Sequence, residues 1–155
     1  MRRPYKEALA IAKEFASKFV QQHHEFAGSI RRKELTIGDI DIVTSTPLNL
    51  ITSRIEQNIY AKKVNGGEKK MDVDYKGMRF NIYFALPYYW GSMMFFLTGP
   101  AGYTIAYRRR AKEKGWKLDQ YGLHNKRGEV IASRTEEQIY KAFGKPYKNP
   151  ELRGK

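Results

Sequence analysis

Two acidic residues within a β-branched run constrain the fold of this chain more than any other feature. Asp39 and Asp41 alternate with Ile40 and Ile42, and Val43 follows, which is the period-two pattern of a half-buried strand. Side chains two residues apart on a strand point to the same face, roughly 6.5–7 Å from each other. That span suits a pair of divalent cations about 3.5–4 Å apart. The pattern therefore predicts a strand that presents two metal-binding carboxylates, and it favours phosphoryl or nucleotidyl transfer.

A short glycine turn lies ten residues before the acidic pair. Gly28 allows the backbone to approach a ligand closely, and Ser29 offers a hydroxyl and a backbone N–H to a phosphate oxygen. Arg31 and Arg32 can neutralise a triphosphate through forked hydrogen bonds. The turn is not a Walker loop, because no Gly-Lys-Ser/Thr follows. An ordinary strand-to-helix turn with solvated basic residues is the structural alternative.

The remaining sequence predicts helices and strands without regular βαβ alternation. In the first half of the chain we expect an amphipathic helix over 4–22, strands at 25–28 and 39–44, and a helix from Thr46-Pro47 to about 63. Strands at 69–75 and 78–86 are expected on either side of Lys76-Gly77, followed by a short strand at 93–97. In the last third we expect a helix from Pro100 to just before Gly115, a hairpin of 116–123 with 129–132, and a helix capped by Thr135. This order predicts an α+β protein, with a mixed sheet flanked by helices and a small C-terminal α+β subdomain.

A third carboxylate is expected on a strand beside the acidic pair, because it would bind the catalytic metal and help to deprotonate an attacking hydroxyl. The polar residue flanked by apolar ones on strand 78–86 is Asn81. An amide is neutral, and it is a poor metal ligand and a poor base, so we expect weak turnover. Asp72 and Asp74 are possible substitutes, but we expect them toward the far end of the hairpin. A natural or engineered exchange of Asp for Asn, and a surface role for Asn81, both remain open.

The composition indicates a polyanionic partner. The 155 residues carry a net charge of +13, and residues 101–155 hold 14 Lys and Arg against 6 Asp and Glu. This excess favours nucleic acid as the partner. The residues expected to contact phosphates are Arg108, Arg109, Arg110, Lys112, Lys126 and Arg127. A solvated helix face is the alternative for some of them.

The sequence shows no pattern typical of a disulfide-bonded, zinc-thiolate or membrane-spanning protein. The chain contains no cysteine, which excludes disulfides and thiolate zinc sites. No apolar run approaches the roughly 20 residues of a membrane span, and the N-terminal residues lack the apolar segment of a signal peptide. We therefore expect no membrane partner and a soluble intracellular protein, in the cytoplasm or nucleoid of a host or of viral origin.

Two linked motifs resemble those of the family X DNA polymerases, the polymerase beta-like nucleotidyltransferases. The first is Gly28-Ser29-x-Arg31-Arg32 with Asp39-x-Asp41, and the second is Phe96-Leu97-Thr98-Gly99-Pro100. The runs 117–123 and 147–153 resemble the C-terminal subdomain of the family. The resemblance implies a nucleotidyltransferase palm at 1–90 and a nucleotide-selecting, DNA-binding subdomain at 91–155.

The resemblance also implies roles for individual residues. Asp39 and Asp41 would ligate two Mg²⁺ ions, for which Mn²⁺ can substitute, and Asn81 stands at the third catalytic position. The dNTP-binding residues would be Gly28, Ser29, Arg32, Phe96, Leu97, Gly99 and Thr104. Arg108 would reach the minor groove near the template base.

The function implied is template-directed DNA synthesis that fills short gaps during repair. The partners would be a dNTP and gapped or primer-template DNA, with the protein acting as a monomer. We expect no N-terminal lyase domain and no helix-hairpin-helix modules, so the chain resembles the smallest viral members and the resemblance does not imply lyase activity. Two alternatives remain: a template-independent nucleotidyltransferase that modifies RNA, a protein or a small molecule, and a non-catalytic nucleic-acid-binding relative.

Overall fold

The computed structural model describes residues 2–155 and divides the chain into two units, Met1–Ala85 and Leu86–Lys155. The sequence predicts a subdomain boundary at 90/91, close to this division. Elements of the first unit are β1 (Arg3–Pro4), α1 (Tyr5–Phe15), β2 (His24–Ala27), α2 (Gly28–Arg31), β3 (Thr36–Ile37), β4 (Ile40–Thr44), α3 (Leu48–Glu56), β5 (Ala61–Gly66), β6 (Lys70–Tyr75) and β7 (Met78–Phe84). A π-helical turn, Ala16–Val20, extends α1.

A mixed five-stranded sheet in the order β2-β4-β7-β6-β5 forms the centre of the first unit. Strand β4 runs parallel to β7, and the other neighbouring pairs are antiparallel. Helices α1 and α3 cover one face, where Phe15 of α1 stacks on Phe80 of β7 with ring centroids 3.9 Å apart. Side chains alternate between the two faces of a strand, so Asp41 and Asn81 lie on the face opposite this core.

The predicted helix over 46–63 is too long. Helix α3 ends at Glu56, and Ala61–Gly66 is instead strand β5, paired with β6. The side chain of Asn58 accepts a hydrogen bond from the Tyr60 backbone N–H at 2.8 Å, a local turn that competes with helix continuation. The predicted start at Thr46-Pro47 is also too early, since α3 begins at Leu48 after Pro47 and the Thr46 hydroxyl donates to the Val20 carbonyl at 3.2 Å.

The second unit packs three helices against a small antiparallel sheet. Its elements are α4 (Trp90–Thr98), α5 (Ala101–Glu113), β8 (Lys117–Asp119), β9 (Gly122–His124), β10 (Val130–Ala132) and α6 (Glu136–Ala142), with the sheet order β10-β9-β8. Thr135 caps α6 as predicted, accepting from the Gln138 N–H at 3.2 Å. Both units mix helices with sheet, which confirms the predicted α+β class.

Two strand predictions in the second unit need correction. The run 93–97 lies within helix α4, because a short apolar run does not by itself distinguish a strand from a buried helix. The predicted strand 116–123 is two strands, β8 and β9, since the Asp119 carboxylate accepts from the Tyr121 N–H at 2.8 Å and turns the chain between them.

A buried arginine holds the C-terminal segment of the second unit. Arg153 is 1% exposed and its Nη1 donates to the Glu136 carboxylate at 2.6 Å. Its Nε donates to the Lys148 carbonyl at 2.9 Å, and its guanidinium lies over the rings of Phe95 and Tyr140. These contacts attach the last residues to α4 and α6.

No helix within residues 2–155 is long and apolar enough to cross a membrane.

Candidate active site

The register of the sheet aligns three polar side chains in one row across the open face of the first unit. Asp41 of β4 is paired with Asn81 of β7, and Asn81 is paired on its other side with Asp72 of β6. Residues directly opposite each other on neighbouring strands share a face. The structure therefore places Asn81 beside the acidic pair, as the sequence predicts. The expectation that Asp72 lies at the far end of the hairpin is wrong.

The side chain of Asn81 links the two predicted metal ligands. Its Nδ2 donates to Asp41 Oδ1 at 2.9 Å and to Asp39 Oδ2 at 3.3 Å. Asp39 is exposed just before β4, whereas Asp41 is partly buried. An amide nitrogen thus lies between the two carboxylates, at a place where a cation would also be attracted to both.

The electrostatics of Asp41 favour a cation at this place. Burial raises the pKa of its carboxyl, the hydrogen bond from Asn81 lowers it, and the negative charge of Asp39 raises it. The charges of Lys70 and Arg32 act in the opposite direction but leave the pKa above its ordinary value. The negative charges of these two neighbouring carboxylates are only partly compensated by nearby residues. Their oxygens are hard ligands, which fit Mg²⁺ or Mn²⁺.

The described part of the chain, residues 2–155, contains no group of three acidic, histidine or cysteine side chains that could hold a metal. The donor set is therefore the pair Asp39 and Asp41. Mg²⁺ commonly binds through one or two carboxylates and keeps several waters, so the residues present fit this ion. The third direct carboxylate expected beside them is absent from these residues because the facing position is Asn81.

The glycine turn lies directly against the acidic pair. Gly28 has a φ of +64°, and a Cβ at this position would collide with Asp41 Oδ2. The turn opens α2, where Ser29 and Arg31 are partly buried. Arg32 Nε lies 3.3 Å from Glu34 Oε1, and the charge of Arg32 lowers the pKa of Asp41. The structure thus brings Gly28 and Arg32 together with Asp41.

Two residues of this face were not identified from the sequence. Lys70 of β6 lies 3.7 Å from Asp72 Oδ1 and 5.3 Å from the centroid of the Tyr83 ring. Burial first, and then the charges of Asp41, Asp72 and Asp39, raise the pKa of Tyr83 to about 12. Tyr83 is therefore a neutral phenol at ordinary pH, with its ring beside the acidic row that Asp41, Asn81 and Asp72 form.

In the second unit, the predicted nucleotide-binding residues lie where α4 meets α5. Phe96 and Leu97 are partly buried at the end of α4, and Gly99, with a φ of +60°, ends that helix. The guanidinium of Arg108 lies 5.7 Å from the centroid of the Phe96 ring, so these two predicted site residues are neighbours. Thr104 is 5% exposed and its buried hydroxyl has no hydrogen-bond partner, which leaves it little surface for a ligand.

The predicted DNA-binding residues of α5 border an open groove of about 410 Å³. The groove is lined by Ile105, Arg108, Arg109, Lys112, Trp116, Lys117 and Leu118. Arg110 lies instead over the Tyr107 ring at 4.7 Å from its centroid. Lys126 and Arg127 are exposed at the turn between β9 and β10. A groove lined by both basic and apolar side chains can accept a phosphate backbone.

Comparisons with known proteins match both units of the chain. A family model described as DNA polymerase beta thumb matches residues 93–154. Repair DNA polymerase X of African swine fever virus (strain Badajoz 1971 Vero-adapted) is 29% identical over 136 residues, covering 81% of this chain and 78% of the viral protein. DNA polymerase/3'-5' exonuclease PolX of Bacillus subtilis is 27% identical over 162 residues, covering 97% of this chain and 28% of that protein. DNA polymerase lambda of Rattus norvegicus is 25% identical over 159 residues, covering 81% of this chain and 28% of its own length.

Proposed function

Because the chain belongs to the family X DNA polymerases, we propose that it is a template-directed DNA polymerase that fills short gaps in repair. The observation that carries the proposal is the convergence of Asp39, Asp41 and Gly28 on one face of the sheet, with the amide of Asn81 between the carboxylates. Paired carboxylates beside a phosphate-sized turn suit the transfer of a nucleotide to a hydroxyl group. The substrates are then a dNTP and the 3′-hydroxyl of a primer.

The primer 3′-oxygen bonds to the α-phosphorus of the dNTP, and its hydroxyl proton passes to water. The bond from that phosphorus to the bridging oxygen breaks, releasing pyrophosphate. Divalent cations, when bound, supply positive charge to the attacking and leaving oxygens. Asp39 and Asp41 would hold these ions, while Gly28, Ser29 and Arg32 would hold the triphosphate.

Residues of the second unit would select the nucleotide and hold DNA. Phe96, Leu97 and Gly99 would contact the sugar and base, and the Arg108 guanidinium, already placed over the Phe96 ring, would contact the template strand. Arg109 and Lys112, which line the basic groove, would neutralise phosphates of the duplex. We propose that the protein acts on gapped DNA as a monomer.

Asn81 would make this enzyme slow. Its amide nitrogen occupies the place between the carboxylates and must turn away before a cation can bind there. Its neutral side chain also cannot take the proton of the primer hydroxyl, a contribution that is worth about 10²–10⁴-fold where a general base is present. The wild-type rate should therefore be low but dependent on divalent cations.

Single-nucleotide gaps with each of the four template bases test the proposal. We expect the wild type and Asn81→Asp to incorporate the complementary dNTP in preference to the other three. Incorporation that ignores the template base would support a template-independent nucleotidyltransferase instead. If neither protein incorporates any dNTP while both still bind DNA, the protein is a non-catalytic relative that binds nucleic acid.

A further inference from the structure

The acidic row of the first unit contains one carboxylate that the proposed function leaves unused. Asp72 lies opposite Asn81 on β6, while Asp41 lies opposite Asn81 on β4. Neighbouring strands are about 4.8 Å apart, so the backbones of Asp41 and Asp72 are roughly 10 Å apart. Their side chains project from the same face on either side of Asn81.

The charge of Asp72 is only partly compensated by its surroundings. The residue is 7% exposed, and its buried Oδ1 has no hydrogen-bond partner, with Lys70 Nζ 3.7 Å away. A buried carboxylate oxygen without a hydrogen bond is costly, and such an atom in a native protein commonly indicates a bound water or ion. The buried Oδ1 of Asp72, which has an ionic neighbour but no hydrogen bond, is thus a second observation, independent of the acidic pair.

Asp74 provides the comparison on the same strand. It lies on the same face as Asp72, but the Arg79 Nε donates to its Oδ1 at 2.6 Å. Its charge is therefore compensated by an arginine within its own hairpin. Asp72 has no comparable arginine contact, although it is the more deeply buried of the two carboxylates.

We propose that Asp72 is a positioning residue for the metal site and supplies the third carboxylate that Asn81 does not. Mg²⁺ retains several of its waters in protein sites, and a water adds the length of one hydrogen bond, about 2.8 Å, to the reach of a carboxylate. Asp72 accepts a hydrogen bond from such a water while Asp39 and Asp41 hold the ion directly. This inference rests on the proposed function, because it concerns the ion which that function requires.

Mn²⁺ titration of the full chain, followed by the electron paramagnetic resonance signal of free Mn²⁺, measures this role without turnover. We expect Asp72→Asn to weaken Mn²⁺ binding by about tenfold or more, as the loss of an outer partner of a metal site does. Asp74→Asn removes the same charge from the same strand and face, and it should change the affinity less than about twofold. The double variant Asp72→Asn/Asn81→Asp should regain most of the lost affinity.

Equal Mn²⁺ affinities for Asp72→Asn and Asp74→Asn would overturn the proposal, as would a double variant no better than Asp72→Asn. Thermal unfolding separates a folding defect from a metal defect. We expect Asp72→Asn to have a Tm equal to or above that of the wild type, because it removes a buried charge whose Oδ1 has no hydrogen bond and whose lysine neighbour is 3.7 Å away. A lower Tm would identify Asp72 as a structural residue and contradict the proposal.

Gap filling by the same variants distinguishes a failure of the proposed role of Asp72 from a failure of the proposed polymerase function. If the wild type extends a primer and Asp72→Asn matches it in both extension and Mn²⁺ affinity, this inference fails and the proposed function stands. If Mn²⁺ binding follows the expected pattern but neither the wild type nor Asn81→Asp extends a primer, the proposed function fails and the role of Asp72 at a metal site stands.

Discussion

Asn81 links two neighbouring carboxylates through its amide group. Its Nδ2 donates to oxygens of both Asp39 and Asp41, so one neutral amide partly offsets their mutual repulsion. An aspartate at this position would add a third negative charge to the same space. We infer that Asn81 favours the metal-free site, while an aspartate would favour the metal-bound one.

Gly28 is the residue whose replacement most directly tests the packing of the turn against Asp41. We expect Gly28→Ala to lower the free energy of unfolding by about 1–3 kcal/mol, because its φ is +64° and a Cβ would collide with Asp41 Oδ2. Urea denaturation measures the change. Gly67→Ala is the matched control, since a Cβ there meets nothing within 4 Å and should shift stability by less than about 0.5 kcal/mol. Equal effects of the two substitutions would contradict the described contact.

At the scale of the element, the hairpin of β6 and β7 determines the geometry of the site. Lys76 and Gly77 form a two-residue turn between Tyr75 and Met78, which are paired. A turn of that length fixes the register of the strands, so counting outward from it places Asp72 opposite Asn81. The turn residues Lys76 and Gly77 therefore carry enough information in the sequence to place Asp72 beside Asn81.

Other elements could not be deduced from local patterns. The strand Ala61–Gly66 has five exposed residues, and it forms through hydrogen bonds to β6, which no local pattern reveals. Residues 93–97 are apolar on every side, so neither a helical nor a strand period is visible. By contrast, the acidic pair and its strand were predictable, because alternation with β-branched residues marks both the strand and its polar face.

The buried ion pair between Arg153 and Glu136 of α6 should contribute measurably to the stability of the second unit. We expect Arg153→Ala to destabilise the second unit by about 3–5 kcal/mol, because it removes a buried guanidinium from an ion pair with the Glu136 carboxylate, whose side chain is 7% exposed. Thermal or urea unfolding of the full chain tests this value. Arg127→Ala removes an exposed arginine 3.9 Å from Glu129 and should cost less than about 1 kcal/mol. A loss for Arg153→Ala as small as that for Arg127→Ala would contradict the structural role of Arg153.

At the scale of the whole molecule, the two units differ in charge. Residues 86–155 carry 14 Lys and Arg against 6 Asp and Glu, whereas residues 1–85 carry 15 against 10. The more basic unit also contains the groove lined by Arg108, Arg109 and Lys112. We therefore assign most of the sequence-independent affinity for DNA to the second unit and the chemistry to the acidic row of the first.

The salt dependence of DNA binding tests this assignment. We expect Arg109→Ala to weaken binding of gapped DNA and to reduce the slope of log K against log[salt] by about 1, because one phosphate contact is lost. Fluorescence anisotropy between 50 and 200 mM salt, roughly the range over which such contacts weaken most visibly, gives both quantities. Lys141→Ala, an exposed lysine of α6 outside the groove, should leave the slope unchanged. Identical slopes for both variants and the wild type would contradict a role for the groove.

The central claim is that Asp39 and Asp41 form the catalytic metal site of a DNA polymerase and that Asn81 limits its rate. Single-turnover incorporation into a one-nucleotide gap, compared among the wild type, Asn81→Asp and Asp41→Asn at saturating Mg²⁺, tests it most directly. We predict that Asn81→Asp raises the rate by about 10²-fold or more and that Asp41→Asn abolishes incorporation. A rate for Asn81→Asp at or below that of the wild type, or undiminished incorporation by Asp41→Asn, would contradict the claim.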